Sequence, residues 1–331
     1  MEKLTLIKVG GKIVEEPDTL HALLRDFAAI EGRKLLVHGG GRSATKLAEQ
    51  LGIPSRMVNG RRITDADTLR VVTMVYGGLV NKNIVAGLQA LGVDALGMTG
   101  ADLNILRSDK RPVKDVDYGY VGDVKEARGD MLARLIADGV VPVLAPLTHD
   151  GHGQLLNTNA DTIAGEAAKA LASYFDVTLV YCFEKKGVLS DENDDESVIP
   201  QIDKSSFERL VTGGIVQGGM IPKLENAFSA ISAGVKEVVI NESRHFVYGR
   251  NPYNRIDNRS NFDRKKAYTG ISVYVFVFLS NYRYIYKKYR YYVALYLGFC
   301  IVCFMWFTSC CTRYDFDHYT GRFALPKSNL V

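Results

Sequence analysis

Two lysines and two glycine turns near the start of the chain carry the residue types of phosphate chemistry. Thr5-Leu-Ile-Lys-Val-Gly-Gly-Lys12 runs from an apolar strand into Gly10-Gly11, with Lys8 and Lys12 on either side. Lys34-Leu-Leu-Val-His-Gly-Gly-Gly-Arg42 repeats the strand-to-turn design at Gly39–Gly41. Such a turn offers bare backbone N–H groups with no Cβ in the way, and a following helix adds its positive end. Gly213-Gly-Ile-Val-Gln-Gly-Gly-Met-Ile-Pro-Lys223 is a third instance, with Gly218, Gly219 and Lys223 at the opening of a helix whose first turn suits Pro222. Gly39, Gly41 and Ala44 also fit the dinucleotide pattern G-x-G-x-x-A. The acidic residue that pattern requires about 20 positions on is replaced by Val58-Asn-Gly60.

Two polar clusters suit a carboxylate. In Asn59-Gly-Arg-Arg-Ile-Thr-Asp65, Arg62 stands ahead of a Thr64/Asp65 helix cap and can fork onto a carboxylate, or simply face solvent. Asn157-Thr-Asn-Ala-Asp161 precedes a helix rich in small residues. Capping explains one of its three polar side chains, leaving an amide for a substrate carboxylate and a carboxylate to fix lysines. His149-Asp-Gly-His152 reads as a hairpin turn rather than a metal site. No Ser/His/Asp or Cys/His set points to a covalent nucleophile.

Positioning these groups requires an alternating scaffold. Apolar runs at Leu4–Val9, Leu35–His38, Val140–Ala145, Val177–Tyr181 and Val235–Ile240 read as strands. Helix-period segments lie between them at Asp18–Glu31, Ala44–Leu51, Asp65–Leu91, Met131–Ala137, Ala160–Ser173, Ser205–Val211 and Lys223–Ala233. Short apolar strands separated by helices predict an α/β protein, a mainly parallel sheet covered on both faces in a three-layer α/β/α sandwich. Ligands in such sheets sit at the carboxyl ends of strands, where both early glycine turns fall.

The composition divides near residue 240. Of 331 residues, the last 91 hold 14 Lys and Arg against 5 Asp and Glu, so the net charge of +4 conceals an acidic first part. That first part offers no broad basic surface, and nucleic acid is not expected as a partner. Its lone cysteine, Cys182, suits a reducing cytoplasm. The N-terminus enters a strand at once, with no signal peptide expected. Residues 241–331 are dense in Tyr and Phe, and Tyr291–Thr312 carries no charge over a length that can cross a bilayer. Three readings of this aromatic, basic tail stay open: the product of a shifted reading frame, a membrane anchor flanked by Arg283, Lys287, Lys288 and Arg290, or an unusual extension. Membrane contact is expected only under the second. Cys300 and Cys303, with Cys310 and Cys311, lie in the apolar run and do not suggest a metal site.

Taken in order, Lys8-Val-Gly-Gly, His38-Gly-Gly-Gly, Asn59-Gly-x-Arg62, Gly97-Met-Thr-Gly-Ala-Asp102, Val121-Gly-Asp123, Asn157-x-Asn-Ala-Asp161 and Gly218-Gly-Met-x-x-Lys223 resemble the amino acid kinase family. Within it, they look like the branch that phosphorylates N-acetylglutamate in arginine biosynthesis. The likeness covers about residues 4–240. It implies transfer of the ATP γ-phosphoryl group to the side-chain carboxylate of N-acetyl-L-glutamate, or of N-succinyl-L-glutamate. The product is an acyl phosphate, formed without a covalent enzyme intermediate. By similarity Lys8 and Lys223 stabilise the moving phosphoryl group and Asp161 orients both. Gly11, Gly40 and Gly41 form an anion hole, Gly218 and Gly219 meet the nucleotide, and Arg62 and Asn157 hold the substrate α-carboxylate. Mg²⁺ arrives with ATP, with no protein side chains as ligands.

The resemblance also divides the chain into 1–175 for the amino acid and dimerisation, 176–240 for the nucleotide, and the unmatched 241–331. Without the extra N-terminal helix of arginine-inhibited relatives, a cytoplasmic homodimer lacking arginine feedback is expected. After Val238-Val-Ile240 the family's closing strand has no counterpart, which would leave a sheet edge bare. The competing reading is a non-catalytic protein of the same fold that binds an amino acid or nucleotide.

Overall fold

A computed structural model describes residues 1–58, 60–183, 187–191, 193–194, 197–217, 220–242 and 255–256. Among them the chain runs β1 (Lys3–Val9), α1 (Gly11–Glu15), α2 (Pro17–Ala28), β2 (Arg33–His38) and α3 (Gly41–Gln50). A short ribbon, β3 (Met57–Val58) and β4 (Arg61–Arg62), leads into α4 (Ala66–Val72). That helix continues through a π-helical stretch, Thr73–Val80, into α5 (Asn81–Gln89). Next come β5 (Ala95–Met98), β6 (Leu106–Lys110), β7 (Gly122–Ala127), α6 (Gly129–Ala137), β8 (Val141–Leu144), β9 (Leu147–His149), β10 (Leu155–Asn157) and α7 (Ala160–Leu171). The described chain closes with β11 (Asp176–Phe183), β12 (Gln201–Ile202), α8 (Lys204–Thr212), α9 (Met220–Ser232), β13 (Glu237–Glu242) and β14 (Arg255–Ile256).

Eight strands form the central sheet in the order β12-β14-β13-β11-β1-β2-β8-β5. Pairing is parallel from β13 through β11, β1, β2 and β8 to β5. Successive residues of β1 explain why its run is apolar on both sides. Leu4 and Leu6 join a core that includes Leu132, Ile163, Ala167 and Leu224 of α6, α7 and α9. Ile7 and Val9 join a second core with Leu24, Phe27, Val72 and Ile84 of α2, α4 and α5. Helices thus cover both faces, the three-layer arrangement the sequence predicts. A smaller sheet, β10-β9-β6-β7, is built from strands on either side of α6 and β8 in the chain. Its β9–β10 pair is antiparallel, with His149–His152 at the turn as expected.

Two details depart from the sequence reading. β5 completes one end of the sheet within a segment read only as a glycine motif. At the other end, Ile256 and Arg255 pair antiparallel with Val238 and Val239, so β13 is covered over two residues rather than bare. The uncharged run Tyr291–Thr312 and the four tail cysteines lie outside the described residues.

Candidate active site

The two glycine turns meet backbone to backbone. A Cβ on Gly39 would stand 3.0 Å from Gly11 N, and one on Gly11 would stand 3.4 Å from both Gly40 N and Gly41 N. Side chains at these positions would force the turns apart, which is a packing reason for glycine beside the chemical one. Gly39 N–H donates to Val9 O at 3.0 Å and ties the turn to the end of β1. Gly40 is the N-cap of α3 and supplies no side-chain cap, while Ser43 N–H donates to Glu15 Oε1 at 2.7 Å. The first turn of α3 therefore presents main-chain N–H groups and the positive end of a ten-residue helix beside Gly11.

Lys8, one residue short of the end of β1, is 8% exposed. Its Nζ sits 2.7 Å from Asp161 Oδ1, in the first turn of α7. Asn159 caps α7, accepting from Asp161 N–H at 2.7 Å and Thr162 N–H at 3.2 Å. The three polar residues of Asn157-Thr-Asn-Ala-Asp161 thus divide their work, Asn159 for the helix, Asp161 for the lysine and Asn157 for the neighbouring cavity. Lys223, on α9, feels both groups. Burial pushes its ammonium below the ordinary lysine value, Asp161 draws it back up, and Lys8 repels it. Two cations and one carboxylate therefore share a partly desolvated site at the carboxyl end of the central strand. Burial holds the Cys182 thiol up at about 12 despite the nearby Lys8, so it stays protonated and is no nucleophile.

A cavity of about 200 Å³ opens beside the second glycine turn. Its lining includes Gly40, Gly41, Arg61, Arg62, Tyr76, Val121, Asn157 and Asn159. Arg62, on β4, is 8% exposed, and its Nη2 donates to Gly41 O and Thr45 Oγ1, each at 2.8 Å. Nη1 donates to Ser55 Oγ. These contacts occupy three of five N–H groups, so Arg62 braces the turn while keeping donors for a ligand. Asn157 Nδ2 donates to Thr64 Oγ1 at 2.9 Å, and that hydroxyl donates to Arg62 O at 3.2 Å, linking the two residues. Asp65 caps α4, accepting from Thr68 N–H at 2.8 Å.

The structure thus gathers Lys8, Gly11, Gly40, Gly41, Arg62, Asn157, Asp161 and Lys223 into one region. Gly218, Gly219 and Asn59 lie outside the described residues. The remaining motifs are architectural. Asp102 Oδ2 accepts from Thr99 N–H at 2.6 Å and from Thr99 Oγ1 at 2.8 Å, closing a turn. A Cβ on Gly122 would meet Thr148 Oγ1 at 2.8 Å.

Sequence reasoning missed Tyr76. Its ring lies where a Gly40 Cβ would be 2.9 Å from Cδ1, and burial raises its phenol above the ordinary range. It sits in the π-helical stretch, a local irregularity frequent at functional sites that leaves no mark on a largely apolar segment.

The sequence profile of the amino acid kinase family matches residues 3–241. The acetylglutamate kinase of Parabacteroides distasonis is 75% identical over 250 residues, covering 76% of this chain and 98% of that protein. Among solved structures, smu.665 from Streptococcus mutans is similar with a TM-score of 0.64 at 28% identity, covering 77% of this chain and 99% of that one. The Giardia lamblia carbamate kinase bound to AMP-PNP shares the fold, with a TM-score of 0.59 at 13% identity, covering 77% and 98%.

Proposed function

The chain belongs to the amino acid kinase family, and on that premise we infer that it is an acetylglutamate kinase, moving the γ-phosphoryl group of ATP onto the side-chain carboxylate of N-acetyl-L-glutamate. The observation that carries this reading is the 2.7 Å pair of Lys8 with Asp161, at the end of the strand that leads into the first glycine turn. Phosphoryl transfer asks little covalent chemistry of a protein, and its barrier falls mainly through alignment and charge neutralisation.

Each residue then has a task. Arg62 and Asn157 hold the α-carboxylate, which turns the side-chain carboxylate toward the glycine turns. Gly11, Gly40 and Gly41 donate main-chain N–H groups to the oxygens that gain charge. Lys8 and Lys223 flank the transferring group, and Asp161 keeps both from drifting or repelling each other. Gly218 and Gly219 serve the nucleotide. Among the described residues no cluster of three His, Cys, Asp or Glu could hold a metal ion. Mg²⁺ comes with the ATP phosphates, keeping waters as its other ligands. Residues 1–175 bind the amino acid and form a homodimer, residues 176–240 bind the nucleotide, and the enzyme works in the cytoplasm.

The test is hydroxamate formation from ATP, Mg²⁺, hydroxylamine and N-acetyl-L-glutamate, with N-succinyl-L-glutamate and free glutamate in parallel. Time-dependent hydroxamate from the acetylated substrate is expected. ATP binding without turnover on any of the three would overturn the reading in favour of a binding protein.

A further inference from the structure

His38 is fully buried, although it precedes the glycine turn that the reaction uses. Its Nδ1 lies 2.7 Å from Gly39 O, and its Nε2 lies 3.1 Å from Asn81 Nδ2. The same Asn81 amide nitrogen donates to Val143 O at 2.9 Å, which fixes it as the donor side of the amide. His38 Nε2 therefore accepts, the ring proton is on Nδ1, and Nδ1–H donates to the Gly39 carbonyl. Burial holds this imidazole at about 4, so it stays neutral and keeps that single tautomer.

The Gly39 carbonyl shares a planar, trans peptide with the Gly40 N–H, and the two point in opposite directions. Holding one end of that plane inward turns the other outward. Gly39, Gly40 and Gly41 line the cavity, so the outward end faces the ligand side. We propose that His38 and Asn81 are positioning residues that lock the Gly39–Gly40 peptide with its N–H aimed at the reacting carboxylate and phosphoryl oxygens. The proposal rests on the kinase reading above and adds how the anion hole is kept in register.

A second motif is part of the same device. A Cβ on Gly97 would fall 1.9 Å from Asn81 Oδ1. Glycine at this point in β5 is the space into which the Asn81 amide fits. Asn81 Oδ1 accepts no hydrogen bond among the described residues. A buried amide with an unused oxygen is poor as a structural filler, and its two donated bonds, to His38 and Val143, account for its presence. Gly97, Asn81, His38 and Gly39 thus form one line, buried at Asn81 and His38, from an edge strand to the anion hole, without touching substrate.

The test compares His38→Asn with His38→Leu in the full chain, beside Gly97→Ala. Asparagine places an N–H where Nδ1 was; leucine fills similar space without a donor. His38→Leu is expected to lower kcat by ~100-fold, the scale of losing one aimed donor, with both KM values within ~3-fold. His38→Asn should recover most of that loss, and Gly97→Ala should reproduce it in part. Affinity for ADP with aluminium fluoride and N-acetyl-L-glutamate should fall with kcat while ATP affinity holds. Wild-type kcat in His38→Leu, or equal damage in the asparagine and leucine variants at unchanged thermal stability, would overturn the proposal. Histidine ¹⁵N NMR of the wild type gives a readout independent of turnover: an Nε2–H tautomer at His38 would refute the relay even if the kinase reading stands. A wild type inactive in the hydroxamate assay would instead count against the kinase reading, with the tautomer still deciding the relay.

Discussion

Lys8 and Arg62 are each 8% exposed, yet the protein holds them in opposite ways. Lys8 faces a carboxylate at 2.7 Å, whereas Arg62 is fixed by three neutral oxygens, those of Gly41, Thr45 and Ser55. A lysine paired with Asp161 is neutralised at rest, and Lys223 restores positive charge to the site. An arginine among neutral acceptors keeps its whole charge in a partly desolvated place, where an unpaired ion is costly. Binding a substrate carboxylate relieves that cost. The lysine region is therefore arranged to act on charge that develops during reaction, and the arginine region to recognise charge already present in the ground state.

The sharpest way to break this contrast is at Lys8. Lys8→Ala should lower kcat by ~100-fold or more with a smaller change in either KM, as removal of a preorganised charge from a transition state does. Steady-state kinetics across both substrates checks it. A KM effect with kcat intact would make Lys8 a ground-state binder and erase the distinction. Arg62→Ala should do the reverse. Loss of a charge-assisted contact of about 1.5–3 kcal/mol raises the KM for N-acetyl-L-glutamate by ~10- to 100-fold, with the KM for ATP little changed. If the KM for ATP rises instead, Arg62 belongs to the nucleotide.

Much of this arrangement is legible in the sequence. β1 and β2 announce themselves because apolar runs end in glycine, and α7 because Asn159 and Asp161 precede small residues. The order of polar residues in Asn157–Asp161 already required more than a cap. Contacts between distant segments are not legible. Nothing in Gly11 says that it packs on Gly40 and Gly41, and nothing in Asn81 says that it reaches His38. β5 escapes because it is four residues long and buried at only two of them. Thr45 and Ser55 escape because an isolated hydroxyl becomes a ligand to Arg62 only once the chain has folded.

The lysine region also carries a pH signature of its own. Burial lowers the Lys223 ammonium from the ordinary 10.5, and repulsion from Lys8 adds to this, while Asp161 opposes it. The working form is the cation, so activity is lost as pH rises through the lowered value. The alkaline limb of kcat should therefore begin below 10.5. Lys223→Arg should move that limb upward, even at reduced rate, because a guanidinium stays protonated there. A pH–rate profile of both proteins checks this, and a limb unchanged by the substitution would assign it to another group.

The smallest effect is expected at Tyr76, which tests whether the arginine region depends on shape or on further polar contacts. Its ring fills the space against Gly40, and its hydroxyl is 4.0 Å from where a Gly41 Cβ would be. Tyr76→Phe keeps the ring and removes the hydroxyl, and kcat/KM should change by less than ~3-fold. Tyr76→Ala removes the wall behind the glycine turn and should weaken N-acetyl-L-glutamate binding more than ATP binding. If the phenylalanine variant were as damaged as the alanine one, the hydroxyl would be a substrate contact. Recognition would then rest on Tyr76 as well as Arg62 and Asn157, with the Tyr76 hydroxyl serving the substrate as well as the neighbouring Arg62.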